Sequence, residues 1–338
     1  MFGRLAVGLL PLHATPEDQP LPLTAVRLLT EWSSDWWVLV GLAVPGALYV
    51  AGLVTLRRRG DQWPVGRSVA FLGGGLGSAL LATMTGLGAY DTVLFSVHVV
   101  QHMILTMVTP MFLALGAPVT LALRTLPAGP RRALLALLHT RLARVLTFAP
   151  LALALFVLTP FVLYYSPLYE ITLRSAFWHA VLHVHFVLTG SLLMWPLVGA
   201  DPVPGRIGYP FRLLVTFLML PFHAFLGISL MSAERLIAED WYLAFGRSWA
   251  PSPLDDQYAA GAIMWGSGDV TAVLMLIALF VQWFRHSQRE ARREDRRLDL
   301  AERRRATSAR TRNPLGPSER PAEGYAQART SPTQELNP

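Results

Sequence analysis

Six of the nine histidines in this 338-residue chain fall inside long apolar stretches: His98, His102, His179, His183, His185 and His223. Imidazole is the commonest metal ligand among side chains, and an ionisable group buried in hydrocarbon is costly enough to mark function. His98 and His102 are four residues apart, as are His179 and His183. On a helix that spacing puts both rings of a pair on one face, so two facing helices could offer up to four nitrogen ligands. His185 points away from His183 on the helical wheel and faces another helix or supports the ligands from outside. Thioethers lie close in sequence: Met219 one turn before His223, then Met231 and Met264. Nitrogen and thioether donors without thiolate suit copper, Cu(I) in particular. The chain has no cysteine, so disulfides, thiolate sites and thiol redox chemistry are excluded. Tyr90, Asp91 and Asp269 are placed to orient imidazoles, and Asp255 and Asp256 to guide a cation inward from the outer face. His13, His139 and His286 fall in arms and loops and read as solvated.

The elements that must position these groups are membrane helices. The composition is 53% hydrophobic and 15% charged, against roughly 25% charged in soluble domains. The apolar residues come in runs of about 20, the length that crosses a bilayer. A soluble enzyme, a nucleic-acid-binding module and a disordered chain are therefore excluded. Seven spans are expected, at Asp35–Leu56, Arg67–Ala89, Thr92–Leu115, Phe148–Tyr165, Ser175–Val198, Phe211–Ser232 and Gly261–Phe284. The fold class is thus an all-α polytopic membrane protein with seven transmembrane helices.

Orientation follows from the basic residues, every one of which is arginine. Arg57, Arg58, Arg59 and Arg67, then Arg124, Arg131, Arg132, Arg141 and Arg144, then Arg206 and Arg212, then the tail from Arg285 all fall on one side. The opposite side carries Arg174, Arg235 and Arg247. The positive-inside rule puts the N-terminus outside and the C-terminal tail in the cytoplasm. The net charge of +7 and the pI near 10.2 arise largely in that tail, which reads as a topology anchor rather than a nucleic-acid surface. Residues 1–34 form an external arm, 35–285 the membrane domain and 286–338 a basic tail, largely disordered after about residue 303. Between spans three and four, Leu134, Leu135, Leu138 and Leu142 would face lipid from a surface helix. Gly73, Gly74, Gly75 and Gly77 make a small-residue face for close helix contact, and Pro150 and Pro160 should bend span four. In this topology the six membrane histidines share the outer half of the bilayer; His98 and His102 lie roughly 10–17 Å in, at about 1.5 Å per residue.

Several blocks in this order resemble the CtaG-type assembly factors of bacterial caa3-type cytochrome c oxidase. They are Tyr90-Asp91-Thr92, His98 through Gln101-His102-Met103, Gly116-Ala117-Pro118-Val119, Trp178-His179 with His183-Val184-His185-Phe186, Pro221-Phe222-His223 through Gly227, Met231-Ser232, Asp256-Gln257, Ile263-Met264-Trp265 and Gly268-Asp269. The resemblance covers about Asp35 to Arg285. It implies a multi-pass bacterial plasma-membrane protein, not an enzyme, that works with subunits of a haem–copper oxidase and serves its copper centres. Two other readings of the histidines stay open: bis-His ligation of haem b in an electron-transfer protein, and a copper or proton-coupled transporter. The sequence offers no Ser/His/Asp order, phosphate loop or carboxylate pair, and no internal repeat.

Overall fold

The computed structural model describes residues 9–10, 14–18, 20–33, 36–202, 204, 207–249 and 251–312. His13, Asp35, Arg206, most of residues 1–12 and all of 313–338 lie outside that set. The described chain is helical apart from loops and one two-residue parallel strand pair, Leu9–Leu10 with Trp32–Ser33. Its principal helices are α1 (Trp36–Arg58), α2 (Val65–Tyr90), α3 (Phe95–Thr125), α4 (Ala149–Tyr164), α5 (Leu168–Arg174), α6 (Ala176–Val198), α7 (Tyr209–Met231) and α8 (Pro253–Arg312). Among them α1, α2, α3, α6, α7 and α8 are each long and apolar enough to cross a membrane. The count becomes seven if α4 and α5, which meet at 72°, form one broken span. This is an all-α, multi-pass membrane protein.

Several boundaries differ from those the sequence suggests. Pro150 starts α4 rather than bending it, since a proline in the first turn gives up an N–H that has no partner anyway. The sharp turn comes instead after Tyr164, ahead of Pro167. α3 stays helical to Leu115, then breaks at Ala117, whose φ of 49° is left-handed, before Pro118–Thr125. α8 starts eight residues earlier than Gly261 and stays helical to Arg312, past the point near residue 303 where composition suggests disorder. The surface segment is not one helix but two, Ala128–Leu138 and Arg141–Leu146, with Leu134, Leu135 and Leu138 half-buried and Leu142 exposed. The chain divides into two units, Met1–Gln282 and Trp283–Pro338, and the first contains every group discussed below.

Close helix approach sets the positions of α2, α3 and α6. A Cβ on Gly74 or Gly75 would lie 2.5 Å from Phe112 or Leu113 of α3, so the small-residue face of α2 is used for contact as its composition suggests. At the α3–α6 crossing a Cβ on Gly190 would stand 2.1 Å from the Thr106 carbonyl oxygen. Only glycine allows that approach. Here α3 passes through a π-helical stretch, Ile104–Val108, and Thr106 Oγ1 donates to the His102 carbonyl (2.6 Å). π-Turns frequently sit beside functional groups.

Two buried carboxylates tie the ends of the bundle together. Asp256 Oδ2 accepts the Phe95 N–H (2.6 Å), while Oδ1 accepts the hydroxyl and N–H of Ser96 (2.5 and 3.4 Å). Asp201 accepts the Val119 and Thr120 N–H groups (3.1 and 2.7 Å), the Thr120 hydroxyl (2.6 Å) and the Trp195 indole N–H (3.1 Å). Each satisfies N–H groups that the start of a helix leaves without partners. The described part of the N-terminal arm packs over the start of α3. The Thr92 hydroxyl donates to the Ala14 carbonyl (2.9 Å), Tyr90 to the Leu21 carbonyl (3.0 Å) and the Trp249 indole to the Pro20 carbonyl (3.1 Å).

Candidate metal centre

Helical spacing does to the histidines what it must. On α3 the rings of His98 and His102 lie with centroids 3.8 Å apart, and on α6 those of His179 and His183 are 4.6 Å apart. The two faces meet: His98 lies 5.5 Å from His179, and His102 lies 6.3 Å from His179 and 5.8 Å from His183. His98, His102 and His179 each offer a nitrogen such that the three lie within 4.8 Å of one another, and all three residues are buried. Asp91, His179 and His183 form a second such group that shares His179 with the first. Either group could hold a metal ion.

The electrostatics of the two groups differ. Both nitrogens of His98 and of His102 are buried without a hydrogen-bond partner. A buried polar atom left unpaired costs about 1–3 kcal/mol, and each of the two neutral rings leaves one lone-pair nitrogen that can take a cation or a proton. His183 is engaged. Gln101 Nε2 donates to Asp91 Oδ2 (2.7 Å) and to the Ala82 carbonyl (3.1 Å), which fixes the orientation of its amide and turns Oε1 toward His183 Nε2 at 2.9 Å. A carbonyl oxygen only accepts, so His183 Nε2 carries the proton of that bond. Asp91 Oδ2 also lies 3.4 Å from His179 Nε2 and 3.8 Å from His183 Nε2. Burial pushes the Asp91 carboxyl up to about 8, against the Gln101 hydrogen bond, which pulls it down.

Aromatic rings close the cluster. Tyr169 sits 4.8 Å from His98, and Phe186 sits 4.3 Å from His102, centroid to centroid. Tyr169 and Tyr242 share a 2.5 Å hydrogen bond. Burial pushes the Tyr242 phenol well above its ordinary range and keeps it a neutral hydroxyl.

The remaining residues singled out from the sequence lie elsewhere. His185 contacts Thr159 Oγ1 through Nε2 (3.1 Å) on another side of α6. His223 donates from Nδ1 to the Met219 carbonyl (3.0 Å), packs against Phe156 and lies over Gly268. The single layer of six imidazoles is therefore a cluster of four plus two separate residues, because helical phase as well as depth decides which rings meet. Asp269 Oδ1 is buried and unpaired on the His223 side, not beside the cluster. Met264 is buried in the core, and Met231 covers Gly261 where α7 and α8 cross. Ser252 Oγ caps the start of α8 by accepting the Asp255 N–H (3.3 Å) and donates to the Asp255 carboxylate (2.6 Å). Asp256 caps α3 instead of lining a route from the surface. Gln101 is the residue that sequence reasoning missed. Its position three residues after His98 and one before His102 places it on the same polar stripe.

Residues 47–286 match the family model of the cytochrome c oxidase caa3 assembly factor. Uncharacterized proteins of Mycobacterium bovis and Mycobacterium tuberculosis are each 38% identical over 289 residues, covering 83% of this chain and 44% of their own length. A Mycobacterium leprae protein matches at the same identity and coverage. The chain thus spans under half the length of these relatives. No solved structure matches it. Assembly, not catalysis, is the family's activity, and this chain belongs to the caa3 cytochrome c oxidase assembly factor family.

Proposed function

We propose that this protein holds Cu(I) on His98, His102 and His179 and passes it, within the plane of a bacterial plasma membrane, to a subunit of a caa3-type oxidase. One observation carries this reading: four imidazole nitrogens on His98 and His102 are buried without partners, next to His179 on the facing helix. Three neutral imidazoles bind a monovalent cation without adding a net negative charge to the membrane, and imidazole suits copper. The Asp91 carboxyl group stands against His179, and Gln101 joins it to His183, so the outer shell fixes the ring orientations of α6. His183 serves in this scheme as an orienting group, because its Nε2 proton is committed to Gln101. The copper is cargo, and its release is an exchange of imidazole ligands with the acceptor subunit.

The proposal includes the topology in which seven spans place the N-terminus outside and the cluster in the outer half of the bilayer. The tight packing of Tyr169, Phe186 and the four rings leaves no slot for a porphyrin between α3 and α6, which counts against the haem b reading. The functional test is the copper content of the oxidase purified from cells carrying His98→Ala/His102→Ala. We expect the oxidase to keep its haem and lose at least half its copper. Full copper occupancy would overturn copper delivery.

A further inference from the structure

A cleft of about 630 Å³ opens where the C-terminal end of α1 meets the start of α2. Val50, Leu53, Val54 and Arg57 line it from α1, and their spacing puts them on one face of that helix. Val65 and Ser68 line it from α2, and Asp61, Gln62 and Trp63 from the connecting loop. Val50 and Arg57 are separated by roughly 10 Å along α1, at about 1.5 Å per residue. Over that length the lining passes from apolar to charged.

The charges at the polar end are unbalanced. Arg124 pairs with Asp61 (3.5 Å), which engages the carboxylate of the cleft. The guanidinium of Arg59 is spent on the carbonyls of Arg124 and Thr125 (2.9 and 3.2 Å). Arg67 and Arg124 lie over the ring of Trp63, 5.1 and 5.8 Å from its centroid. That ring is held in place, because its indole N–H donates to the Tyr49 hydroxyl (3.1 Å). Among the described residues neither Arg57 nor Arg67 meets a carboxylate. Three guanidinium groups therefore share one carboxylate, and two of the three keep their donors for an anion.

The occupant must answer both ends of this lining. A hydrocarbon chain leaves the guanidinium groups unmet, and a free phosphate leaves the valine and leucine face bare. A headgroup ammonium finds no carboxylate that is not already paired. A phospholipid carries phosphate and acyl chain in the same order along its length, and guanidinium binds phosphate through paired N–H groups. We propose that this cleft binds one anionic phospholipid, its phosphate held by Arg57 and Arg67 and an acyl chain lying along Val50, Leu53 and Val54. α1 buries only Tyr49, Gly52 and Leu56, so the lipid fastens a thinly packed helix to α2. The site shares no residue with the histidine cluster and is independent of copper.

The test is native mass spectrometry of the delipidated protein in detergent, titrated with phosphatidylglycerol and, separately, with phosphatidylethanolamine of the same chains. The first phosphatidylglycerol should bind at least about tenfold more tightly, the factor that one hydrogen bond to a charged group supplies. Arg57→Gln/Arg67→Gln should reduce the preference below about twofold, while Arg58→Gln, beside the cleft but not lining it, should keep it. Val54→Trp fills the apolar part and should weaken both lipids alike with the preference retained. Inorganic phosphate should not displace the bound lipid; displacement would assign the site to free phosphate and overturn the lipid reading. Equal affinities for the two lipids in the unaltered protein would overturn the proposal. So would an Arg57→Gln/Arg67→Gln protein with the full preference, or a Val54→Trp protein that binds lipid like the unaltered one.

Discussion

His98 and His102 differ from His183 in what their nitrogens meet, although all three lie in one cluster. The first two find no partner, while His183 gives its Nε2 proton to Gln101. In the proposed scheme that difference separates ligands from supports, and it makes Gln101 testable. Gln101→Leu keeps the volume but cuts the Asp91–Gln101–His183 chain, so Cu(I) affinity measured by chelator competition should fall 10- to 100-fold with the stoichiometry unchanged. An unchanged affinity would mean that the α6 rings are held by packing alone. At this scale the sequence was legible in part. The i,i+4 pairs announced themselves, because spacing fixes helical face. His185 and His223 were drawn into the same layer by depth alone. Depth comes from counting residues, but azimuth relative to other helices comes from packing, which a single sequence does not display. Asp256 has the same history: a carboxylate near the outer surface suggests a cation route, and only the fold brings the first turn of α3 against it.

The site exists because α3 and α6 approach each other closely, which Gly190 permits. Gly190→Val would drive a side chain into the Thr106 carbonyl and push α6 off α3. We expect a fall in thermal midpoint together with loss of Cu(I) binding. Gly73→Ala in α2 provides the contrast, since nothing lies within 4 Å of its added Cβ. It should leave copper binding intact and the midpoint equal or slightly higher, because alanine favours helix by about 1 kcal/mol over glycine. If both variants behaved alike, close approach at Gly190 would not be what assembles the site. The spans themselves were the most legible elements, since runs of about 20 apolar residues leave few alternatives in a bilayer. Their ends were less so. The break at Ala117 depends on a backbone conformation, and the turn between α4 and α5 falls at Pro167 although Pro150 and Pro160 carry the same ring.

For the whole molecule, the proposed copper delivery depends on orientation, which decides the side from which the cluster is reached. The absence of cysteine makes this directly measurable by introducing one at a time. In intact cells a membrane-impermeant maleimide should label Glu239→Cys and leave Arg131→Cys unlabelled until the cells are opened, both positions being exposed. The reverse pattern would place the histidines in the cytoplasmic half and remove the delivery route. The arginine distribution carried this expectation without any structure, because charge asymmetry between loops is a property of the sequence alone.

The central claim is that the paired imidazoles of α3 and the first of α6 bind Cu(I), and the most direct measurement is anaerobic Cu(I) titration of the purified protein against a chromogenic chelator. The account predicts about one Cu(I) per chain, lost in His98→Ala/His102→Ala and retained in His185→Leu and His223→Ala. Binding that survives the loss of His98 and His102, or that disappears with His185 or His223, would contradict it.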